Sequence, residues 1–389
     1  MRKSAVLAGL ILVTALALSL PARADDTIRI GFNIPFTGDE PKVGEGSKYA
    51  AEIRLAEING GGGLKVGDKS YKLEFIYLDN ETKAESATAA ALKLIVQDDV
   101  LAIVGPQGSR QAIPAGQVCN DNRTPMISPW SSNPQTTENR PYVFRASFID
   151  RFQGTVVANF AKEEFKAKRA AVLYDIGNDY SKGIAEFFRK EFEKTNGPGS
   201  VVAFETFTTK DVDFSAQLTS IVKSKADFLY TPQYYNEVPL IVKQAKELGW
   251  DKPILGSDSW GSAELMHLCG DACKGYFFTT HYAAAGAKGA TREFIDKYKA
   301  KYGYVPDEVA ALTWDAINLL LTAIHNTGGL TGNIEKDRDA VKDQLAGIKD
   351  FDGITGNMTF NNSGDPIKCA VIVKINDNGE FEFYKSVCP

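Results

Sequence analysis

Apolar residues in this chain fall into short runs that alternate with longer segments in which they recur every three or four positions. Such a pattern predicts strands followed by amphipathic helices. Strand-like runs cover 27–34, 72–78, 100–104 and 125–127, with helical segments at 46–59, 84–97 and 110–121 and a glycine break at 60–63. After 141–145 the alternation restarts. Strands are predicted at 169–174, 201–207, 228–230 and 253–255, each followed by a helix, at 181–194, 214–222, 237–248 and 262–268. Alternation of this kind implies parallel sheets with helices on both faces, and two runs of it imply two sheets in two lobes. The last third differs: helices at 291–302, 308–326 and 338–347 come almost consecutively, before strand-like runs at 357–360, 370–375 and 380–384. A helical block with no strand of its own must return to cover an earlier sheet, so the lobes are expected to interleave.

Composition narrows the classes. With 389 residues, 44% hydrophobic, 24% charged, 34 Gly and 16 Pro, the chain has ordinary globular proportions. Disorder, collagen and a coiled rod are excluded, and the length suggests two domains. The first 24 residues carry Arg2, Lys3 and Arg23 and no acid, so their removal takes the net charge from −5 to −8. A chain that acidic has no electrostatic case for nucleic acid or an anionic membrane face. A basic start, an apolar run from Ala5 to Leu20 and Pro21-Ala22-Arg23-Ala24 read as a secretory signal peptide over 1–24, cleaved before Asp25. That apolar run is shorter than the roughly 20 residues a membrane anchor needs. The mature protein is expected to be exported to a bacterial periplasm.

Five cysteines in an exported chain are read first as disulfides. Cys269 is paired with Cys273 and Cys369 with Cys388, leaving Cys119 as a buried thiol, although four cysteines allow three pairings. The rival reading is a metal site of His267, Cys269 and Cys273, which offers three ligands where structural zinc wants four. The three histidines, His267, His281 and His325, are scattered. No cofactor or metal is expected.

Ligands of open parallel sheets bind beyond the carboxyl ends of the strands, which singles out the loops 35–45, 105–109, 128–136, 175–180, 231–236 and 256–260. In the first lobe, Ser109 ends Gly105-Pro106-Gln107-Gly108-Ser109 at an expected N-cap position, and Ser131 and Ser132 precede Pro134. Two helix starts with hydroxyls at strand exits suit a carboxylate or phosphate, although plain helix capping explains each taken singly. In the second lobe, Asp258 stands at a strand exit with Trp260 two residues on, and Tyr180, Tyr234 and Tyr235 lie in neighbouring loops. An acid ringed by aromatics is a seat for an ammonium. Turn capping for Asp258 and half-buried core for the tyrosines are the plainer explanations. Together, the two halves make a better account of a zwitterion.

Bond-making chemistry is not written in the sequence. Gly44-Glu45-Gly46-Ser47-Lys48 lacks both the dinucleotide glycine pattern and the Walker spacing, and there is no G-x-S-x-G elbow. The protein is therefore not expected to be an enzyme.

The chain resembles the periplasmic branched-chain amino-acid-binding proteins of ABC transporters. The resemblance lies in Ile28-Arg29-Ile30-Gly31-Phe32-Asn33-Ile34-Pro35-Phe36-Thr37-Gly38, Ala56-Glu57-Ile58-Asn59-Gly60-Gly61, Ile103-Val104-Gly105-Pro106, Pro125-Met126-Ile127-Ser128-Pro129, Asp213-Phe214-Ser215 and Gln244-Ala245-Lys246-Glu247-Leu248-Gly249. It covers essentially the whole mature chain.

The resemblance implies an α/β, type I periplasmic-binding-protein (Venus-flytrap) fold with two Rossmann-like lobes. Residues 25–146 plus 280–352 would form the N-terminal lobe and 147–279 plus 353–389 the C-terminal one, with crossings near 145–148, 278–281 and 350–355. It further implies that Ser109 and Ser132 hold an α-carboxylate. The Trp130 carbonyl and Asp258 would hold the ammonium, with Tyr180 and Tyr234 lining the cleft. Val43 stands where branched-chain binders often carry an aromatic, and Trp130 replaces a small residue.

The function implied is capture of a branched-chain-like or other hydrophobic or aromatic amino acid, delivered by a monomer to a membrane permease. The alternatives are a carrier of an aromatic or aliphatic carboxylate lacking the ammonium, and a ligand-sensing subunit of a signalling system. A secreted hydrolase or oxidoreductase is the remaining competitor, and the missing motifs argue against it.

Overall fold

A computed structural model describes residues 27–389; the expected signal peptide lies outside the described residues. The first lobe is built on β1 (Thr27–Ile34), α1 (Pro41–Gly60), β2 (Leu64–Val66), β3 (Lys69–Asp79), α2 (Ala84–Val96), β4 (Ala102–Val104), α3 (Ser109–Asp121), β5 (Met126–Ser128) and β6 (Val143–Arg145). Its sheet runs β2-β3-β1-β4-β5-β6. Apart from the β2–β3 hairpin every pairing is parallel, and Ile28, Ile30, Phe32 and Ile34 of β1 are buried.

The second lobe begins with α4 (Asp150–Glu164), a helix that the sequence reading did not assign. Its apolar stripe of Val156, Val157, Phe160 and Ala161 packs against α5. There follow β7 (Ala170–Asp175), α5 (Asp179–Asn196), β8 (Val201–Phe207), α6 (Ser215–Lys223), β9 (Phe228–Tyr230), α7 (Val238–Glu247), β10 (Ile254–Gly256), α8 (Glu264–Cys269) and β11 (Phe277–Thr280). The chain then forms α9 (Gly289–Tyr302), α10 (Glu308–Asn326) and α11 (Ile334–Ala346), which pack around α1 and one another on the first lobe.

A small antiparallel sheet of β12 (Phe351–Gly353), β13 (Gly356–Phe360) and β14 (Pro366–Ile367) comes next. It rests on first-lobe groups: Phe360 meets Phe144, the Arg145 amide donates to the Gly364 carbonyl, and Asp315 of α10 accepts from the amides of Ile354 and Thr355. From there β15 (Ala370–Ile375) and β16 (Phe381–Val387) join the second sheet, whose order is β16-β15-β11-β10-β9-β7-β8.

Two disulfides join Cys269 to Cys273 and Cys369 to Cys388, the second tying the start of β15 to the end of β16. Cys119 is a free thiol, and burial pushes it up to about 12. Among the described residues no helix is long and apolar enough to cross a membrane.

Strand order reverses about β1 in the first sheet and about β7 in the second, with β1 flanked by β3 and β4 and β7 by β8 and β9. Loops on either side of such a switch point diverge and leave a crevice. The loops after β4 and β5 therefore face those after β7, β9 and β10. The lobes meet directly: Asn133 Nδ2 donates to the Asp179 carbonyl at 2.8 Å and Asn236 Nδ2 to the Asp39 carbonyl at 3.3 Å.

Candidate functional site

Five of the eight expected ligand residues line one small cavity between the lobes: Ser109, Trp130, Tyr180, Tyr234 and Asp258. Its volume is about 10 Å³. Ser109 opens α3 as its first helical residue, one position past the cap, which is Gly108. Its hydroxyl therefore turns to the next loop, accepting from the Ser131 hydroxyl at 2.9 Å and the Asn133 amide at 3.3 Å. Ser131 Oγ also lies 2.6 Å from Thr136 Oγ1. The hydroxyl that joins Ser109 at the cavity is thus that of Ser131. Ser132 is fully buried, with its side chain turned toward the Asp150 carboxyl.

The loop carrying these hydroxyls is held from beneath by Arg145, which is wholly buried. Its guanidinium donates to the carbonyls of Ser131 at 2.8 Å and Asn133 at 2.9 Å and to the Thr137 hydroxyl at 2.8 Å. Its Nε lies 2.7 Å from Asp365 Oδ1. A forked donor that cannot lose its proton suits several fixed acceptors at once.

Asp258 sits on the opposite wall, immediately after β10. Its Oδ1 accepts from Gln153 Nε2 at 2.9 Å and from the Tyr180 hydroxyl, and its Oδ2 lies 3.4 Å from His281 Nε2. Gln153 Oε1 accepts in return from the Asp258 amide at 3.1 Å and the Thr279 hydroxyl at 2.6 Å, so one α4 side chain clamps the acid from two sides. His281 is stacked on Phe148, ring centroids 3.8 Å apart. Burial pushes its imidazole down to about 4, against the opposing bond to Asp258, so near neutral pH it is an uncharged donor.

Two further carboxyls stand close by. Burial raises both Asp150 and Glu308 well above the usual carboxylate range, and the Asp258 charge adds to each shift. Glu308 Oε1 accepts from Trp130 Nε1 at 2.6 Å, while Oε2 accepts from the Thr280 hydroxyl and from the His281 amide at 3.3 Å. Asp258, His281 and Glu308 bring three atoms of ligand type within 4.8 Å of one another. Each is already engaged in hydrogen bonds, so the trio is an acid–imidazole network that needs no metal to explain it.

The remaining two expected residues lie elsewhere. Val43 on α1 is buried in the core and does not line the cavity. Trp260 is fully buried beneath the end of β10, its Nε1 donating to the Thr231 carbonyl at 3.1 Å. A Cβ on Gly256 would fall 2.3 Å from its ring, so the strand ends in glycine to admit the indole, which is core and not a cavity wall. Asp150, Gln153, His281 and Glu308 were missed by the sequence reading. The two on α4 were readable in principle, because the apolar spacing of Val156, Val157, Phe160 and Ala161 marks that helix.

At the cleft mouth Glu40 of the first lobe and Glu237 of the second approach each other. Burial raises Glu40 to about 8, the charges of Glu237 and Asp39 adding and Arg110 opposing. Burial raises Glu237 to about 7, with Asp175 and Asp39 adding. For acids raised in this way, the stabilising contribution is complete below the ordinary value of 4.5 and is lost as pH rises to those values. His281 has the opposite sign and acts only below its ordinary 6.5. The unfolding midpoint is therefore expected to fall between about pH 6.5 and about pH 8, and Glu40→Gln to flatten that fall. Thermal scans of both proteins check it, and parallel curves would contradict it.

Buried hydroxyls in one lobe, a buried acid in the other and aromatic rings between them define a closed two-lobe binder of a small charged molecule. The family model described as periplasmic binding protein matches residues 27–380, and the chain belongs to that family. It is 30% identical over 345 residues to the leucine-, isoleucine-, valine-, threonine- and alanine-binding protein of Pseudomonas aeruginosa, covering 88% of each chain. It is 31% identical over 356 residues to a Leu/Ile/Val-binding protein of Rhizobium johnstonii, covering 91% of this chain and 92% of the relative. Among solved structures it is similar to the substrate binding protein LivJ of a branched-chain amino acid transporter of Streptococcus pneumoniae, in complex with isoleucine. There the TM-score is 0.84 and the identity 32%, over 93% of this chain and 100% of that one.

Proposed function

We propose that the protein is a non-catalytic periplasmic carrier that closes on an aliphatic amino acid and delivers it to the membrane permease of an ABC transporter. The observation that carries this reading is the position of Asp258, buried across the cavity from Ser109 and Ser131. In the proposed complex those hydroxyls and the start of α3 hold the α-carboxylate, and the Trp130 carbonyl and Asp258 hold the ammonium. The relatives, named as binding proteins for leucine, isoleucine, valine, threonine and alanine and for Leu/Ile/Val, support the same ligand class.

Either charge of a zwitterion is costly to bury without partners. Donors from one lobe and an acid from the other answer both only when the lobes shut. The ligand therefore favours the closed form through its differential affinity, and the closed form presents the surface that the permease reads. Micromolar affinity requires about 8 kcal/mol, within the reach of two desolvated charge contacts and a packed side chain. Calorimetric titration of refolded, ligand-free protein with aliphatic amino acids is expected to give saturable heat with at least one of them. No binding by any amino acid would reject the reading.

A further inference from the structure

Behind the cavity runs a second, larger space between the lobes. Its volume is about 370 Å³, and Gly261 and Met266 of the second lobe face Ile295, Pro306 and Glu308 of the first across it. Trp130 lines the cavity, Glu308 lines the groove, and the two are bonded at 2.6 Å. The partition between the spaces is thus one pair of side chains thick. Trp130 is 5% exposed, and Tyr234 meets its ring edge-on with centroids 5.6 Å apart. Glu308 is held in turn by Thr280 and the His281 amide. Gly261 permits its approach, since a Cβ there would fall 2.6 Å from the Glu308 carboxyl carbon.

The cavity on the Trp130 side is small. Its volume of about 10 Å³ is the room of about one water molecule. The groups around it that answer charges, Ser109, Ser131 and Asp258, would engage the amino-acid head group, which leaves little space beyond.

We infer that Trp130, positioned by Glu308, is the specificity-determining wall that restricts the ligand to an amino acid with a small side chain and seals the cavity from the groove. This rests on the amino-acid reading above. A larger side chain is excluded because the indole occupies the space through which it would pass into the groove. Removing the indole joins the two spaces and admits leucine or phenylalanine, at a cost to alanine, which loses its packing partner.

The test is calorimetry of refolded, ligand-free protein with glycine, alanine, valine, leucine and phenylalanine, with circular dichroism to verify folding. The unsubstituted protein is expected to bind alanine at least about tenfold more tightly than leucine or phenylalanine. Trp130→Ala is expected to reverse that ranking. Glu308→Ala, which frees the indole without removing it, is expected to shift the ranking the same way by less, and it decides the matter if Trp130→Ala does not fold. Binding of leucine or phenylalanine as tightly as alanine by the unsubstituted protein would overturn the wall while leaving the carrier function standing. An unchanged ranking in the folded variants would overturn it too. Failure of every amino acid to bind would overturn both.

Discussion

Asp258→Ala is expected to weaken amino-acid binding by about two to four orders of magnitude. Removing one partner of a buried charge pair costs about 3–5 kcal/mol, because the other charge is left desolvated and unanswered. In the proposed complex that charge is the ligand ammonium, and the lost acid is the one that Gln153 and Tyr180 hold in place. The unliganded protein should respond too. Asp258 is the buried acceptor for Gln153 Nε2 and the Tyr180 hydroxyl, and its removal leaves both donors unpaired. The variant's midpoint without ligand is therefore expected to fall as well. Calorimetry paired with thermal scans separates the two effects, and a variant that retains its affinity would remove Asp258 from the site.

Arg145→Met should have the largest effect on stability. It strands the buried Asp365 carboxylate and takes the donor from the carbonyls of Ser131 and Asn133. The expected loss is about 3–5 kcal/mol in urea unfolding. Pairing the change with Asp365→Leu should recover much of it, since replacing both members of a buried pair by apolar groups is often neutral. Because Arg145 fixes the loop that presents Ser131, ligand affinity should fall as well. Equal losses in the single and double variants would contradict this role.

Much of the architecture was legible because local chemistry and tertiary packing agree. α10 occupies the predicted span 308–326, and the Asp307 side chain that precedes it accepts from the Ala310 amide at 2.9 Å, as an N-cap should. The strand-exit loops were identifiable because periodicity switches at them, and the cavity-lining residues Ser109, Trp130, Tyr180, Tyr234 and Asp258 all lie in or beside them. What escaped was set by direction and by distance along the chain. Which of Ser131 and Ser132 meets Ser109 depends on how Arg145 pins the loop, and adjacent residues carry no mark of that. Trp260 beside an acid resembled an aromatic wall until Gly256 was seen to make room for it in the core. Glu308 reads as an ordinary first-turn acid. Only packing against Trp130 and Thr280, far apart in sequence, reveals it as buried and structural.

The proposal that the two lobes answer opposite charges of one guest is tested most directly by a crystal structure of the protein filled with its amino acid. The account predicts the carboxylate within hydrogen-bond reach of Ser109 and Ser131 and the ammonium on Asp258. A guest seated away from those residues, or one altered covalently, would contradict it.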